Sequence, residues 1–151
     1  MIEDLVRKVL ELERRLDGLV QTERPRWMDW TPTVDQGGAV AVTVLLARYM
    51  TFGDLAVVQA NLAVTGAGNA GNAVSVQGQP ATIQAANTGV AIGIGWVYDA
   101  TVGSYIGALH VIGATDWRIR AHLETSYVGV DPSFALASGD YIRLQAAYER
   151  T

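Results

Sequence analysis

The sequence predicts an all-β protein with a short N-terminal α-helix. The helix is expected to form a trimeric parallel coiled coil, and the strands a jelly-roll-like β-sandwich. Residues 1–26 hold 12 of the 26 formal charges of the chain, and after Pro25 the spacing of apolar residues changes from three and four to two. No helical pattern follows that change. The chain therefore divides into a coiled-coil oligomerisation and anchoring helix at 1–25, a junction at 26–36 and a β-sandwich knob at 37–151.

Composition limits the possible classes of function. The chain has 151 residues, half of them hydrophobic and 17% charged, which is typical of a globular domain with its own core. It has no cysteine, so disulfide bonds and thiolate metal sites are excluded. A net charge of −4 argues against nucleic acid and anionic lipid as partners. Acids directly after Met1, and no apolar run near the roughly 18 residues of a membrane span, predict a soluble protein without a secretory signal or membrane insertion.

The N-terminal segment has the pattern of a coiled coil. Its apolar residues recur every three and four positions over three heptads. The residues of the predicted oligomer seam are Ile2, Val9 and Leu16 at position a and Leu5, Leu12 and Leu19 at position d. In a parallel arrangement, Lys8 at position g reaches Glu13 at position e of a neighbouring chain. The helix is expected to end by Pro25, because a residue that precedes proline is disfavoured in the α conformation.

Association is expected because a helix of this length, about 28 Å at 1.5 Å per residue, is only marginally stable alone in water. The alternative is a single amphipathic helix that packs on its own domain. Ile or Val at position a with Leu at position d also permits dimers. Residues 8–13, KVLELE, resemble a coiled-coil motif that favours trimers, with Lys8 where that motif usually has arginine. We therefore expect a parallel homotrimer.

Beyond the junction the apolar residues alternate with a period of two, as they do in strands. Residues 39–50 and 55–64 are the longest such runs, and the turn-rich residues 51–54 between them predict a hairpin or sequential antiparallel strands. Further strands are predicted at 73–77, 90–98, 105–112, 117–123 and 141–148. Seven or eight short strands separated by Gly, Asn, Asp and Ser are typical of a β-sandwich or jelly roll.

The predicted strand 90–98 is rich in glycine. In a regular alternation, Gly93 and Gly95 face away from Ile92, Ile94 and Trp96. Glycine inside a strand weakens it and indicates that another backbone or sheet comes close. A trimer interface would supply such a neighbour.

One phosphate-binding pattern occurs, but without the structural context that it needs. Gly66, Gly68 and Gly71 have the GxGxxG spacing after an apolar strand. A dinucleotide site requires a helix that begins at the third glycine and an acid about 20 residues further on. Here the β pattern NAVSVQ follows, and residues 86–92 contain no acid. We expect a glycine-rich loop between strands and no cofactor.

The sequence gives no positive sign of catalysis or metal binding. Its histidines, His110 and His122, have none of the HxH, HxxxH or HExxH spacings of metal sites. The carboxylates of the C-terminal half are scattered near presumed turns: Asp99, Asp116, Glu124, Asp131 and Asp140. Acid–base catalysis needs two such groups held close in a cleft, and turn formation explains these positions. There is no GxSxG nucleophile elbow. We expect neither an enzyme nor a metal site.

The aromatic residues suggest two roles. Trp27 and Trp30 lie where the helix meets the β domain, so they are expected to pack at this junction. Aromatic residues near predicted strand ends are candidates for stacking on sugar rings: Tyr98, Tyr105, Trp117 and Tyr127. For each of these four residues, packing in the core is the favoured interpretation.

Several segments together carry a family resemblance. The short heptad helix is followed by a WxxWTP junction at 27–32, by Ala47, Arg48 and Tyr49 with Gly53, by TGxGxxGN at 65–72, and by FALASGDYIRLQAAYE at 134–149. With these features the chain resembles small virion structural proteins of tailed bacteriophages, especially those of actinobacterial hosts. Proteins of this kind are minor tail or fibre-like proteins.

The resemblance implies a homotrimeric fibre or knob on the surface of a virus particle. Such a protein is made in the host cytoplasm, contacts other virion proteins of the tail or capsid, and serves in host attachment through host-surface carbohydrate. Residues 79–135 are the least family-like, and a surface that contacts such a partner is expected there. Two alternatives stay open. One is a capsid-mounted head fibre or decoration protein. The other is a non-viral, lectin-like trimeric jelly roll, which would bind sugar without any place in a virion.

Overall fold

The structure is a computed structural model that describes residues 2–22, 25–121 and 126–151. The prediction of an all-β protein with a short N-terminal helix is confirmed. The elements are helix α1 Ile2–Thr22 and strands β1 Met28–Asp29, β2 Thr33–Asp35, β3 Ala39–Val40, β4 Val42–Phe52, β5 Leu55–Val64, β6 Ser75–Gln77, β7 Ala91–Asp99, β8 Gly103–Gly113, β9 Asp116–Ala121 and β10 Tyr141–Glu149. A single 3-10 turn at Ala81–Ile83 completes the described elements.

The predicted hairpin is formed by β4 and β5, which pair antiparallel with Phe52 opposite Leu55. Gly53 takes a positive φ of 54° in the two-residue turn, a conformation that glycine adopts without steric cost. The predicted run 39–50 is divided into β3 and β4 at Ala41. The carbonyl of Ala41 accepts hydrogen bonds from the backbone N–H groups of Thr65 and Gly66 at 2.9 and 3.0 Å. The strand bends at this point.

The ten strands form one continuous antiparallel sheet in the order β1-β4-β5-β10-β7-β8-β9-β6-β2-β3. Strand β3 lies at one end of this order and β4 lies beside the other end, although Ala41 alone separates them in the chain. The sheet must therefore curl until its two ends meet, which encloses one face and leaves the other outside. The jelly-roll strand order stays a prediction, since this ladder does not confirm it.

The enclosed face contains the core. In β5 and β10 every second residue is buried, so each strand gives one side to the interior and the other to solvent. The buried residues of the whole β domain form one cluster. At its centre Trp117 meets Trp30 and Tyr148 edge-on, with ring centroids 6.0 and 5.7 Å apart. Aromatic pairs of this geometry add about 0.5–1.5 kcal/mol each beyond the area they bury.

The remaining predicted strands are found with shifted ends. Strands β6, β7, β8 and β10 overlap the predictions at 73–77, 90–98, 105–112 and 141–148. Strand β9 overlaps the prediction at 117–123, of which residues 122 and 123 lie outside the described residues. The junction at 26–36 contains β1 and β2, which the sequence did not predict because two or three residues are too few to show an alternation. Trp30 and Val34 of this segment are buried in the core.

The assignment of Ile92 to the same strand face as Ile94 and Trp96 is wrong, while Ile94 and Trp96 do share a face. The pairing of β7 with β8 shifts register between Ala91 and Gly93. A residue inserted into one strand reverses the side that the preceding residues face. Ile92 is therefore buried, whereas Ile94 faces solvent.

The close approach expected at the glycines of β7 is present. A Cβ atom on Gly93 would overlap the backbone of β10, and one on Gly95 would lie 2.5 Å from Cδ1 of Ile119. The neighbour of Gly93 is β10 and the neighbour of Gly95 is the side chain of Ile119, and both belong to the same chain. Gly95 thus leaves the space that Ile119 fills.

We predict that Gly95→Ala lowers the free energy of unfolding by about 1–3 kcal/mol, because the added methyl group overlaps Ile119. In an Ile119→Ala background the same substitution should cost much less, since the obstructing atoms are gone. Gly113→Ala is the control, because a Cβ there would lie 4.0 Å from Cβ of Asp116, an ordinary contact distance. Urea denaturation measures the free energy of unfolding of Gly95→Ala, Ile119→Ala, the double variant and Gly113→Ala. An equal cost of Gly95→Ala in both backgrounds would contradict this explanation.

Candidate functional site

The described side chains of helix α1 are all exposed. They are Asp4 and residues 6–15, which cover every side of the helix. Val9 and Leu12 of the predicted seam are among them, and so are Lys8 and Glu13 of the predicted inter-chain pair. For the other seam positions, Ile2, Leu5, Leu16 and Leu19, the backbone is helical and the side chains lie outside the described residues.

This part of the helix leaves apolar side chains in water. Val6 and Leu10 lie off the seam and are as exposed as Val9 and Leu12. An ion pair between Arg7 and Asp4, with an N–O distance of 2.6 Å, lies along the helix surface and contributes little because both groups are solvated. Burying one Val or Leu side chain is worth about 1.5–3 kcal/mol. Val9 and Leu12 of the seam are 47% and 63% exposed, so a single chain realises only part of this energy.

The two junction tryptophans lie in different environments. Trp30 is buried in the core against Trp117, and its indole nitrogen has no hydrogen-bond partner among the described residues. Trp27 lies at the surface, where the guanidinium carbon of Arg48 is 4.4 Å from the ring centroid. Strand β1 holds both rings in place because it pairs with β4 at Arg48 and Tyr49. The helix is therefore connected to the β domain at the β4 side of the sheet.

The four aromatic candidates for sugar stacking do not form one site. Trp117 is only 1% exposed, and its ring contacts other core rings, so a ligand at the surface cannot reach it. Tyr105 is half-buried and stacks on Phe134, with centroids 5.0 Å apart. Tyr127 lies beside His110, with centroids 6.1 Å apart. Trp117 is thus a core residue, and the other three lie at separate places.

Tyr98 belongs to an aromatic group that the sequence analysis missed. Its ring lies 5.9 Å from that of Trp96 and 6.3 Å from that of Tyr141, measured between centroids. The guanidinium carbon of Arg143 lies 4.7 Å from the centroid of Trp96. The alternation within β7 and within β10 places these side chains on the outer side of each strand. Their proximity follows once the two strands are known to be neighbours.

The outer side of β4, β5, β10 and β7 carries a shallow groove of about 420 Å³, and β8 lies next to β7 at its margin. We call this surface the β10 face. Its side chains are Leu46, Gln59, Asn61, Ile94, Trp96, Arg143 and Gln145, which line the groove, and Ile106 beside it. The ladder aligns one row of them across the five strands. Asn61 lies opposite both Leu46 and Arg143, and Trp96 lies opposite both Arg143 and Ile106.

Arg143 of the β10 face and Arg48 beside it bond to amides. Arg48 donates from Nε and Nη2 to Oε1 of Gln59 at 3.1 and 2.9 Å. Arg143 donates from Nε to Oδ1 of Asn61 at 3.2 Å. None of the residues that line the groove is acidic. The guanidinium groups thus lie against tryptophan rings and amide oxygens, and their positive charge is not neutralised on the groove.

The glycine-rich loop at 65–72 encloses a buried side chain. Gln36 is fully buried and donates from Nε2 to the carbonyls of Phe134 and Asn72 at 2.7 and 3.2 Å, while its Oε1 accepts the N–H of Leu136 at 2.8 Å. A Cβ on Gly68 would overlap Gln36 Oε1. The spacing that resembles a phosphate site therefore accommodates Gln36, which joins two loops.

The carboxylates near turns bind backbone groups. Asp140 accepts the N–H groups of Ala100 and Ala137 at 2.9 and 2.8 Å. Burial would raise the pKa of Asp99, but hydrogen bonds from Thr101 and from the N–H of Val102 hold that pKa below its usual value. These contacts stabilise the loops at one end of the sheet.

The other polar candidates also lack a catalytic arrangement. Asp116 accepts hydrogen bonds from Ser75 and Arg118 on the outside of β6 and β9. Burial and the nearby Arg120 lower the pKa of His110. His122 and Glu124 lie outside the described residues. Across residues 2–22, 25–121 and 126–151, no three His, Asp or Glu side chains come together as metal ligands.

Comparison of the chain with protein-family models, with curated proteins and with solved structures gives no match. No helix in the described part of the chain combines the length and the apolar character needed to cross a membrane.

We predict that Gln36→Leu lowers the free energy of unfolding by about 3 kcal/mol. The substitution leaves one N–H and two carbonyl groups of the two loops without their partner. Gln77→Leu is the matched control, because Gln77 is half-buried and its side chain donates to the hydroxyl of Ser75 at 3.1 Å rather than to loop backbone groups. Thermal unfolding compares the two variants. A loss no larger for Gln36 than for Gln77 would show that Gln36 does not hold the loops together.

Proposed function

We propose that this chain is a homotrimeric structural protein in which the N-terminal helices form a parallel coiled coil that displays three β domains. The observation that carries the proposal is the exposure of helix α1, whose described seam residues Val9 and Leu12 are in water in a single chain. A coiled coil buries residues at positions a and d between helices. Asp99 and Asp140 support a non-catalytic role, since both accept hydrogen bonds from backbone N–H groups.

We further propose that the trimer is a virion component, most simply a tail-associated fibre or knob that contacts the surface of the host. The resemblance to small structural proteins of tailed bacteriophages supports this role. Three domains on one stalk bind a surface far more tightly than one, because the second and third contacts form at high effective concentration. A capsid-mounted fibre would have the same architecture. Electron microscopy of an intact particle distinguishes the two positions.

A pair of leucines on helix α1 tests the coiled coil. Leu12 at position d and Leu10 at position b are 63% and 60% exposed, so they differ mainly in their place relative to the seam. We predict that Leu12→Asp destabilises the trimer by about 3 kcal/mol or more per chain, because a charge replaces a side chain buried between helices. Leu10→Asp should leave the assembly unchanged, since position b faces solvent.

Light scattering at micromolar concentration measures the result. The parent protein and Leu10→Asp should have a mass of about 49 kDa, three times the 16.2 kDa chain, while Leu12→Asp should shift toward a single chain. A parent protein of 16.2 kDa would overturn the proposed assembly. A mass of two chains would keep the coiled coil and overturn the trimer.

A further inference from the structure

The β10 face has the composition of a protein contact. Ile94 and Ile106 are 64% and 59% exposed although they lie in the middle of strands, and Leu46 is also exposed. Between them lie Trp96 and Arg143. Tryptophan, tyrosine and arginine are the residue types that contribute most to binding in protein interfaces, and charged residues other than arginine are depleted there. This face combines those features.

The positive charges on and beside this face, Arg143 and Arg48, already lie against rings and amides of the same chain. The guanidinium carbon of Arg143 lies 4.7 Å from the ring centroid of Trp96, and that of Arg48 lies 4.4 Å from the ring centroid of Trp27. Arginine is weakly hydrated, and it keeps hydrogen bonds to amide oxygens while stacked on a ring. Because the groove contains no carboxylate, a partner need not break an ion pair to reach it. Covering a guanidinium group still costs desolvation energy, but the cost is lower for arginine than for lysine because its charge is delocalised and weakly hydrated.

The connection to helix α1 indicates which partner lies on this face. Strand β1 attaches the chain to β4 at Arg48, and Arg48 bonds to Gln59 of the groove. From Thr22 to Met28 the chain can span at most about 20 Å. Helices that associate in parallel therefore hold the β domains of different copies close together, beside this edge of the sheet.

We propose that the β10 face is the surface through which the β domain of one copy contacts that of the next copy. The inference rests on the proposed oligomer and adds to it a second contact, between the domains. In a ring with rotational symmetry, one patch on each copy contacts a different patch on the next copy. The β10 face offers a groove between Leu46 and Trp96 and, beside it on β8, the exposed side chain of Ile106. A neighbouring copy can fill the groove with such a side chain.

The absence of cysteine makes a direct test possible. Single variants Ile94→Cys, Ile106→Cys and Val102→Cys each carry one thiol, and in a single chain the three sites are similarly exposed, at 64%, 59% and 69%. Val102 is the matched control because it lies in the turn between β7 and β8, off the β10 face. The rate of modification by a maleimide with a polyethylene glycol chain is measured for each variant, after thermal unfolding shows that it is folded.

We expect positions 94 and 106 to react roughly tenfold or more slowly than position 102 in the oligomer, because a thiol in a contact reacts only when the contact opens. In a background with Val9→Asp and Leu12→Asp, which separates the helices, the three rates should become similar. Equal rates in an assembled protein would overturn this inference alone and leave the face free for another partner, such as a glycan. Slow rates at 94 and 106 that persist after dissociation would also overturn it.

Light scattering on the same samples separates the two proposals. A single-chain mass for the parent protein would overturn the coiled coil, and with it the contact between domains. An assembled mass with fast modification at both positions would overturn the domain contact and leave the coiled coil standing.

Discussion

The closure of one sheet on itself is the constraint on which the rest of the structure depends. Only Ala41 separates β3 from β4 in the chain, but β3 lies at one end of the ladder and β4 lies next to the other end, so the sheet has to curl around its core. The curl requires close contacts inside, and Gly95 provides one by leaving room for Ile119. It also fixes which side of each strand faces outward, and so it assembles the β10 face from residues of five strands.

Loops at the ends of the sheet are held by buried polar groups. Gln36 joins the loop at 65–72 to the segment around Leu136, and Asp140 accepts the backbone N–H groups of Ala100 and Ala137. A buried polar group that keeps all its partners stabilises one arrangement, because any other arrangement leaves it unpaired. The residues that most resembled a phosphate site or a catalytic carboxylate therefore contribute to the fold of the loops.

The sequence predicted the elements that are long and regular. Strands β5 and β10 alternate over their whole length and β4 alternates from Leu46 to Met50, and the turn at Gly53 lies between β4 and β5. Strands β1 and β2 are too short to alternate, and their pairing with β4 and β6 depends on the closure of the sheet. The opposite orientations of Ile92 and Ile94 depend on a register shift that no local pattern marks. The partners of Gln36 are distant in sequence, so its role could not be seen before the fold was known.

The two proposed contacts, the coiled coil and the contact between β domains, stabilise each other. Three heptads make a short coiled coil, so contacts between the displayed domains would add to its stability. Domains held within about 20 Å of their helices meet at millimolar effective concentration. At that concentration a contact with a dissociation constant near 1 mM, worth about 4 kcal/mol, is substantially formed. A few isoleucines, a tryptophan and arginines that keep their amide partners are then sufficient. A more apolar face would instead expose the newly made single chain to aggregation before the helices associate.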